Sequence, residues 1–81
     1  MFRRKSQLYT ICDDTISVLI VPSYDAGRFT TWHWSVADVV HHTKDGIPVG
    51  GKPFDYGPRR TKRECRVAAY NAALKRTDDA S

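Results

Sequence analysis

Thr61-Lys62-Arg63-Glu64-Cys65-Arg66-Val67-Ala68-Ala69-Tyr70-Asn71-Ala72-Ala73-Leu74 is the one long run of strong helix formers in an 81-residue chain. Thr61 and Glu64 match the Ser/Thr-x-x-Glu capping box, so Thr61 caps the start and Glu64 reaches back. Alanine-rich sequence carries the helix to Arg76. At about 100° per residue, Cys65, Ala68, Ala69 and Ala72 share one face, and Val67, Tyr70 and Leu74 share another. Lys62, Arg66 and Ala73 lie between them. The small face suits close docking on a sheet. The second stripe is either covered by the segment 50–58 or exposed for a partner.

Everything before the helix reads with a period of two. Leu8 to Cys12 is a short strand, and Asp13-Asp14 a turn. Thr15 to Val21 is a strong strand: Ile16, Val18 and Ile20 on one face, Ser17, Leu19 and Val21 on the other. The second face is largely apolar too, which suggests cover on both sides. Pro22 is expected to end this strand. Residues 23–28 form a connection. Phe29 to Val40 is the next strand, with a break or bend near Ala37-Asp38, and its Trp32, Trp34 and Val36 face carries the largest apolar area. Asp45-Gly46 signals a hairpin returning through Ile47 to Val49, which Pro48 marks as an edge. Gly50 to Pro58 reads as an ordered loop that lays Phe54 and Tyr56 on the body of the domain. The order implies one α+β domain over 1–81: an antiparallel sheet of three to four strands with one C-terminal helix packed on a face. The ends, 1–7 and 77–81, read as flexible.

Composition narrows the classes. The chain is 41% hydrophobic and 27% charged, ordinary for a folded domain. Its longest apolar run, Val18 to Pro22, is too short to span a bilayer, and no apolar segment follows the basic residues at 3–5 to make a secretion signal. Cys12 and Cys65, with no Cys-x-x-Cys spacing, fit two reduced thiols of a cytoplasmic protein; a bridge within the chain or between copies is the alternative. His33, His41 and His42 lack metal-ligand spacing, Cys65 reads as packing, and Gly50-Gly51-Lys52 is no phosphate loop. No catalytic site, metal or cofactor is expected.

The net charge of +4 favours an acidic partner, or serves solubility alone. Five of the 13 Lys and Arg residues crowd the helix entrance: Arg59, Arg60, Lys62, Arg63 and Arg66. Cations there oppose the helix dipole by about 0.3–1 kcal/mol each unless an anion is bound. Guanidinium forks beside free N–H groups suit phosphate. The bland alternative is a solvated turn, with the arginines paired to Asp55, Glu64 or the aspartates of the tail.

Lys62-Arg63-Glu64-Cys65-Arg66 followed by Ala68-Ala69 and Ala73-Leu74 resembles the last helix of double-stranded-RNA-binding domains. In that family the helix follows three strands, and its first basic residues grip phosphates. The resemblance implies that Lys62, Arg63 and Arg66 make those contacts. The chain lacks that family's N-terminal helix and Gly-Pro-x-His loop, the parts that read the minor groove. The layout also resembles the arm-binding domains of phage integrases, which would make Thr31, His33 and Ser35 a groove-reading face. In size and type the chain resembles small phage and mobile-element proteins, anti-CRISPR inhibitors among them. The leading expectation is a non-catalytic inhibitor that blocks a host nucleoprotein through Arg59, Arg60, Lys62, Arg63 and Arg66, with the Val67, Tyr70 and Leu74 stripe and Tyr56 as further contacts. The alternative is a module that binds DNA or RNA phosphates directly. The expected partner is a nucleoprotein, an acidic protein surface or nucleic acid, not a membrane, and the chain itself is a monomer or homodimer.

Overall fold

Alternating apolar residues and a small-faced helix dictate two layers, and a computed structural model, which describes residues 4–79, has them. Five strands, β1 (Gln7–Ile11), β2 (Ile16–Asp25), β3 (Arg28–His42), β4 (Pro48–Gly50) and β5 (Asp55–Arg59), precede one helix, α1 (Lys62–Asp79). All pairings are antiparallel. β3 is the spine: β2 pairs along one side, carrying β1 on its outer edge, while β5 and β4 share the other side.

The α+β class therefore holds, with one strand beyond the expected sheet. Residues 55–59 are not loop but an edge strand, with Gly57 opposite Trp34 and Tyr56 opposite Ser35. Pro58 and Gly57 hide the strand from a propensity reading, and its edge position is where a missing N–H is tolerated. Of the two aromatics expected on the body, Phe54 packs against the core while Tyr56 is 74% exposed.

β2 does not stop at Pro22. It runs to Asp25, because β1 ends opposite Ile20 and Pro22 then lies on a free edge. The connection shrinks to Ala26-Gly27, both at positive φ, as a two-residue hairpin turn needs. β3 is continuous through Ala37-Asp38; its irregularities fall at Thr30, the extra residue opposite Ser23 and Tyr24, and at Val39–His41, where Val40 is bulged outward.

The core lies between helix and sheet. Ile16, Val18 and Ile20 of β2 and Trp32, Trp34 and Val36 of β3 meet Cys65, Ala69 and Ala73 of α1. The three helix residues are completely buried. Ala73 belongs to the docking stripe, which the expectation had centred one position away; Ala68 and Ala72 pack at its margin. Small side chains let the helix axis approach the indoles, and each large apolar side chain buried beneath it contributes about 1.5–3 kcal/mol. The other face of β2 is covered only at one end: Ser17 is buried beside Gly50, while Leu19 is 40% exposed.

Thr61 caps the helix as expected. Its Oγ1 accepts from the Glu64 N–H at 3.1 Å, and its hydroxyl lies 3.3 Å from Glu64 Oε1, so the reciprocal contact goes to the side chain and not to the Thr61 N–H. The helix passes Arg76 and ends at Asp79, with Thr77 and Asp78 still helical where a tail was expected. Arg76 holds this end down, pairing with Asp38 at 2.5 Å over the Phe54 ring. The expected flexibility of 1–3 and 80–81 falls outside the described residues.

Candidate polyanion and protein interface

The five expected cations arrive from three directions. Arg59 ends β5, Arg60 lies in the connection, and Lys62, Arg63 and Arg66 occupy the first turns of α1. Lys62 points inward, its ammonium 5.0 Å from the Trp32 ring centre. Arg66 reaches toward β1, donating to Gln7 Oε1 at 3.3 Å. Arg59 donates to the Pro58 carbonyl at 2.7 Å and lines a shallow groove with Arg63, Val67 and Asn71. The five thus surround the helix start rather than forming one flat patch.

None of them has a carboxylate partner among the described residues. The two ion pairs among the described residues are His42–Asp14 and Arg76–Asp38. Two of the carboxylates expected as partners are otherwise engaged: Asp55 accepts from the Tyr56 N–H at 2.9 Å, and Glu64 is held by Thr61. Thr61 serves the Glu64 N–H with its side chain and the Cys65 N–H with its carbonyl, at 3.1 Å in each case. The N–H groups of Lys62 and Arg63 keep no partner among the described residues, as the first turn of a helix dictates.

Aromatic groups extend the basic end, and these the sequence reading missed. Arg4 stacks over Phe29 at 3.9 Å from its centroid; Phe29 meets Trp32 edge-on at 5.5 Å and Tyr24 at 6.2 Å. Arg4, Phe29, Trp32 and Lys62 therefore make a continuous cation–aromatic ladder beside the helix start. No local motif connects positions 4, 29, 32 and 62. Only the closure of the β2–β3 hairpin against the helix brings them together.

The apolar stripe is uncovered. Val67, Tyr70 and Leu74 are 55%, 50% and 44% exposed. Arg63 precedes them at helical spacing, so cation and stripe share one outward face. The segment 50–58 does not cover it: residues 55–59 pair with β3 in the sheet, and the stripe stays exposed.

Other candidates separate. His42 Nε2 contacts Asp14 Oδ2 at 2.8 Å, far from the helix entrance in sequence and at the opposite end of β3. The Thr10 hydroxyl, then His42, hold the Asp14 carboxyl below its ordinary range. Cys12 and Cys65 are unbridged, one exposed and one buried. Burial raises the Cys65 thiol above its usual range despite the opposing field of Arg59. Desolvation likewise raises Tyr9, against the pull of Arg66. Thr31, of the suggested groove-reading trio, has already committed its hydroxyl to the Arg59 carbonyl at 2.6 Å. No cluster of three metal-ligating side chains occurs among the described residues, and no helix there is long and apolar enough to cross a membrane. Comparison with family models, curated proteins and solved structures finds no match to this chain.

Proposed function

We propose that this chain is a non-catalytic binding protein that engages nucleic-acid phosphates at the entrance of α1. The observation that carries this is the set of Arg59, Arg60, Lys62, Arg63 and Arg66 gathered around a helix start, where neither they nor the first two N–H groups of the helix have a partner carboxylate or acceptor among the described residues that neutralises them. Cations so placed repel one another and the dipole, and a bound phosphate relieves both. The rings of Phe29 and Trp32 hold Arg4 and Lys62 against the body of the domain beside the other charges.

A second reading is favoured by the exposed Val67, Tyr70 and Leu74 stripe, which continues from Arg63. A surface both cationic and apolar suits a nucleoprotein better than bare nucleic acid. In this form the chain is an inhibitor of anti-CRISPR type, docking on a host nucleoprotein and blocking its access to nucleic acid.

Titration of labelled double-stranded RNA and DNA at low and moderate salt separates the two. Micromolar binding with a steep salt dependence, lost in Arg63→Glu and Arg66→Glu, supports direct phosphate contact. Absence of binding at low salt rejects it. The inhibitor reading then stands or falls on recovery of a nucleoprotein component from host lysate, lost in Tyr70→Asp.

A further inference from the structure

The sheet has a second face, away from the helix, and its composition is unlike the rest of the molecule. Leu8 of β1 stands opposite Leu19 of β2, Leu19 opposite Ser35 of β3, and Ser35 opposite Tyr56 of β5. One row of side chains thus crosses four strands on this face. The row from Val21 through His33 to Pro58 continues it on one side; on the other, the row from Thr10 runs into Ser17 and Ala37, which are already buried beside Gly50. No Lys, Arg, Asp or Glu stands in any of the three rows, although 27% of the chain is charged. Leu8, Leu19 and Tyr56 are 46%, 40% and 74% exposed, and an apolar groove runs from Leu8 and Leu19 to Val49 and Pro53.

We propose that this face is the interface of a homodimer, two copies packing sheet against sheet with their helices outermost. The charge pattern selects the occupant. Nucleic acid needs cations, and the unpaired cations cluster instead at the helix entrance. An acidic or basic protein would likewise meet no complementary charge here. A second copy presents the same neutral, apolar surface, and a two-fold contact requires only that the face match itself. The four strands, of 5, 10, 15 and 5 residues, at about 3.3 Å per residue and about 4.8 Å apart, give roughly 550 Å² of projected area, below the ~800 Å² per partner of standard interfaces and in the range of a weak, concentration-dependent dimer. The molecule is only 18 Å thick in its shortest dimension, a sheet and one helix, and on this face β4 covers only the Ser17 and Ala37 end, leaving the Leu8, Leu19 and Tyr56 row without a layer of its own. In the dimer both basic entrances stay on the outside.

Sedimentation velocity across a wide concentration range tests this. The wild-type chain is expected to shift from 9.2 kDa to twice that mass as concentration rises. Leu19→Lys and Tyr56→Lys, each placing an unpaired cation in the row, should raise the dimer dissociation constant about tenfold or more. Tyr56 is the safer site for folding, which circular dichroism checks. Leu74→Lys, on the helix stripe, and Arg60→Glu, at the basic entrance, should leave dimerisation unchanged. A wild-type chain monomeric at every concentration overturns the proposal and assigns the face to a different protein. So does a dimer that resists Tyr56→Lys yet dissociates in Leu74→Lys. The proposal is independent of the phosphate contact, since Arg60→Glu separates the two.

Discussion

Lys62 holds its ammonium 5.0 Å from the centre of the Trp32 ring, so the basic end of the helix and the aromatic end of the core are joined. Trp32 is itself 8% exposed, buried by the helix that carries the cation. A ligand drawn to the helix entrance therefore perturbs a fluorophore of the core. Lys62→Ala should lower stability by about 0.5–1 kcal/mol in urea unfolding and reduce the slope of log affinity against log salt by about 0.9. An unchanged slope in this variant would remove Lys62 from the contact.

Thr61 satisfies two N–H groups at the helix start, one with its hydroxyl and one with its carbonyl. Thr61→Ala removes only the first. The expected cost is about 1 kcal/mol, with Thr61→Asp close to wild type. Equal destabilisation by both would mean that the cap is not what matters at this position.

Gly57 lies on the core face of β5, beneath Trp34. A Cβ built there would sit 3.3 Å from Trp34 Nε1 and 3.5 Å from two ring carbons. Gly57→Val forces the indole away from the helix and should cost about 1–3 kcal/mol, with a shift in tryptophan emission. A neutral result would show that β5 moves freely against β3.

Cys65 is fully buried while Cys12 is exposed. At pH 8 a thiol reagent should modify one site rapidly, Cys12, and the other only as the protein unfolds. Burial raises the Cys65 pKa above its ordinary value of 9.0, so the folded state keeps its proton longer than the unfolded chain. The stability this contributes is full below pH 9 and lost as pH rises above it. Cys65→Ala should flatten the alkaline limb of the stability profile; an unaltered limb would assign it to another group.

Asp14 titrates in the opposite sense. The Thr10 hydroxyl and His42 favour its charged form and put its pKa below 3.8. The folded state therefore binds fewer protons here. The contribution is present above pH 3.8 and lost as pH falls through the folded-state value. Carboxyl carbon shifts followed by NMR should show the Asp14 midpoint below the ordinary carboxylate value and moving upward in Thr10→Ala. No movement would mean that the hydroxyl does not hold the carboxylate.

Local sequence determined the helix, its cap, its small docking stripe, and the Ile16-Val18-Ile20 and Trp32-Trp34-Val36 faces. These are written in spacing of 3.6 and 2, and spacing survives without knowledge of neighbours. It also marked the five cations, since a run of Arg and Lys is visible wherever it lies. Tertiary structure alone decided the rest. Residues 55–59 became a strand because β3 is long enough to offer them an edge, despite Gly57 and Pro58. Pro22 stayed within β2 because β1 stops short of it. Arg4 and Phe29 joined Lys62 through contacts between distant segments, which no local period encodes. Above all, only the fold shows that the arginines of the helix entrance find no carboxylates among the described residues, that Tyr70 is uncovered, and that three neighbouring rows of one sheet face hold no Lys, Arg, Asp or Glu. Pairing and exposure are properties of what surrounds a side chain, and the folded chain alone supplies those surroundings.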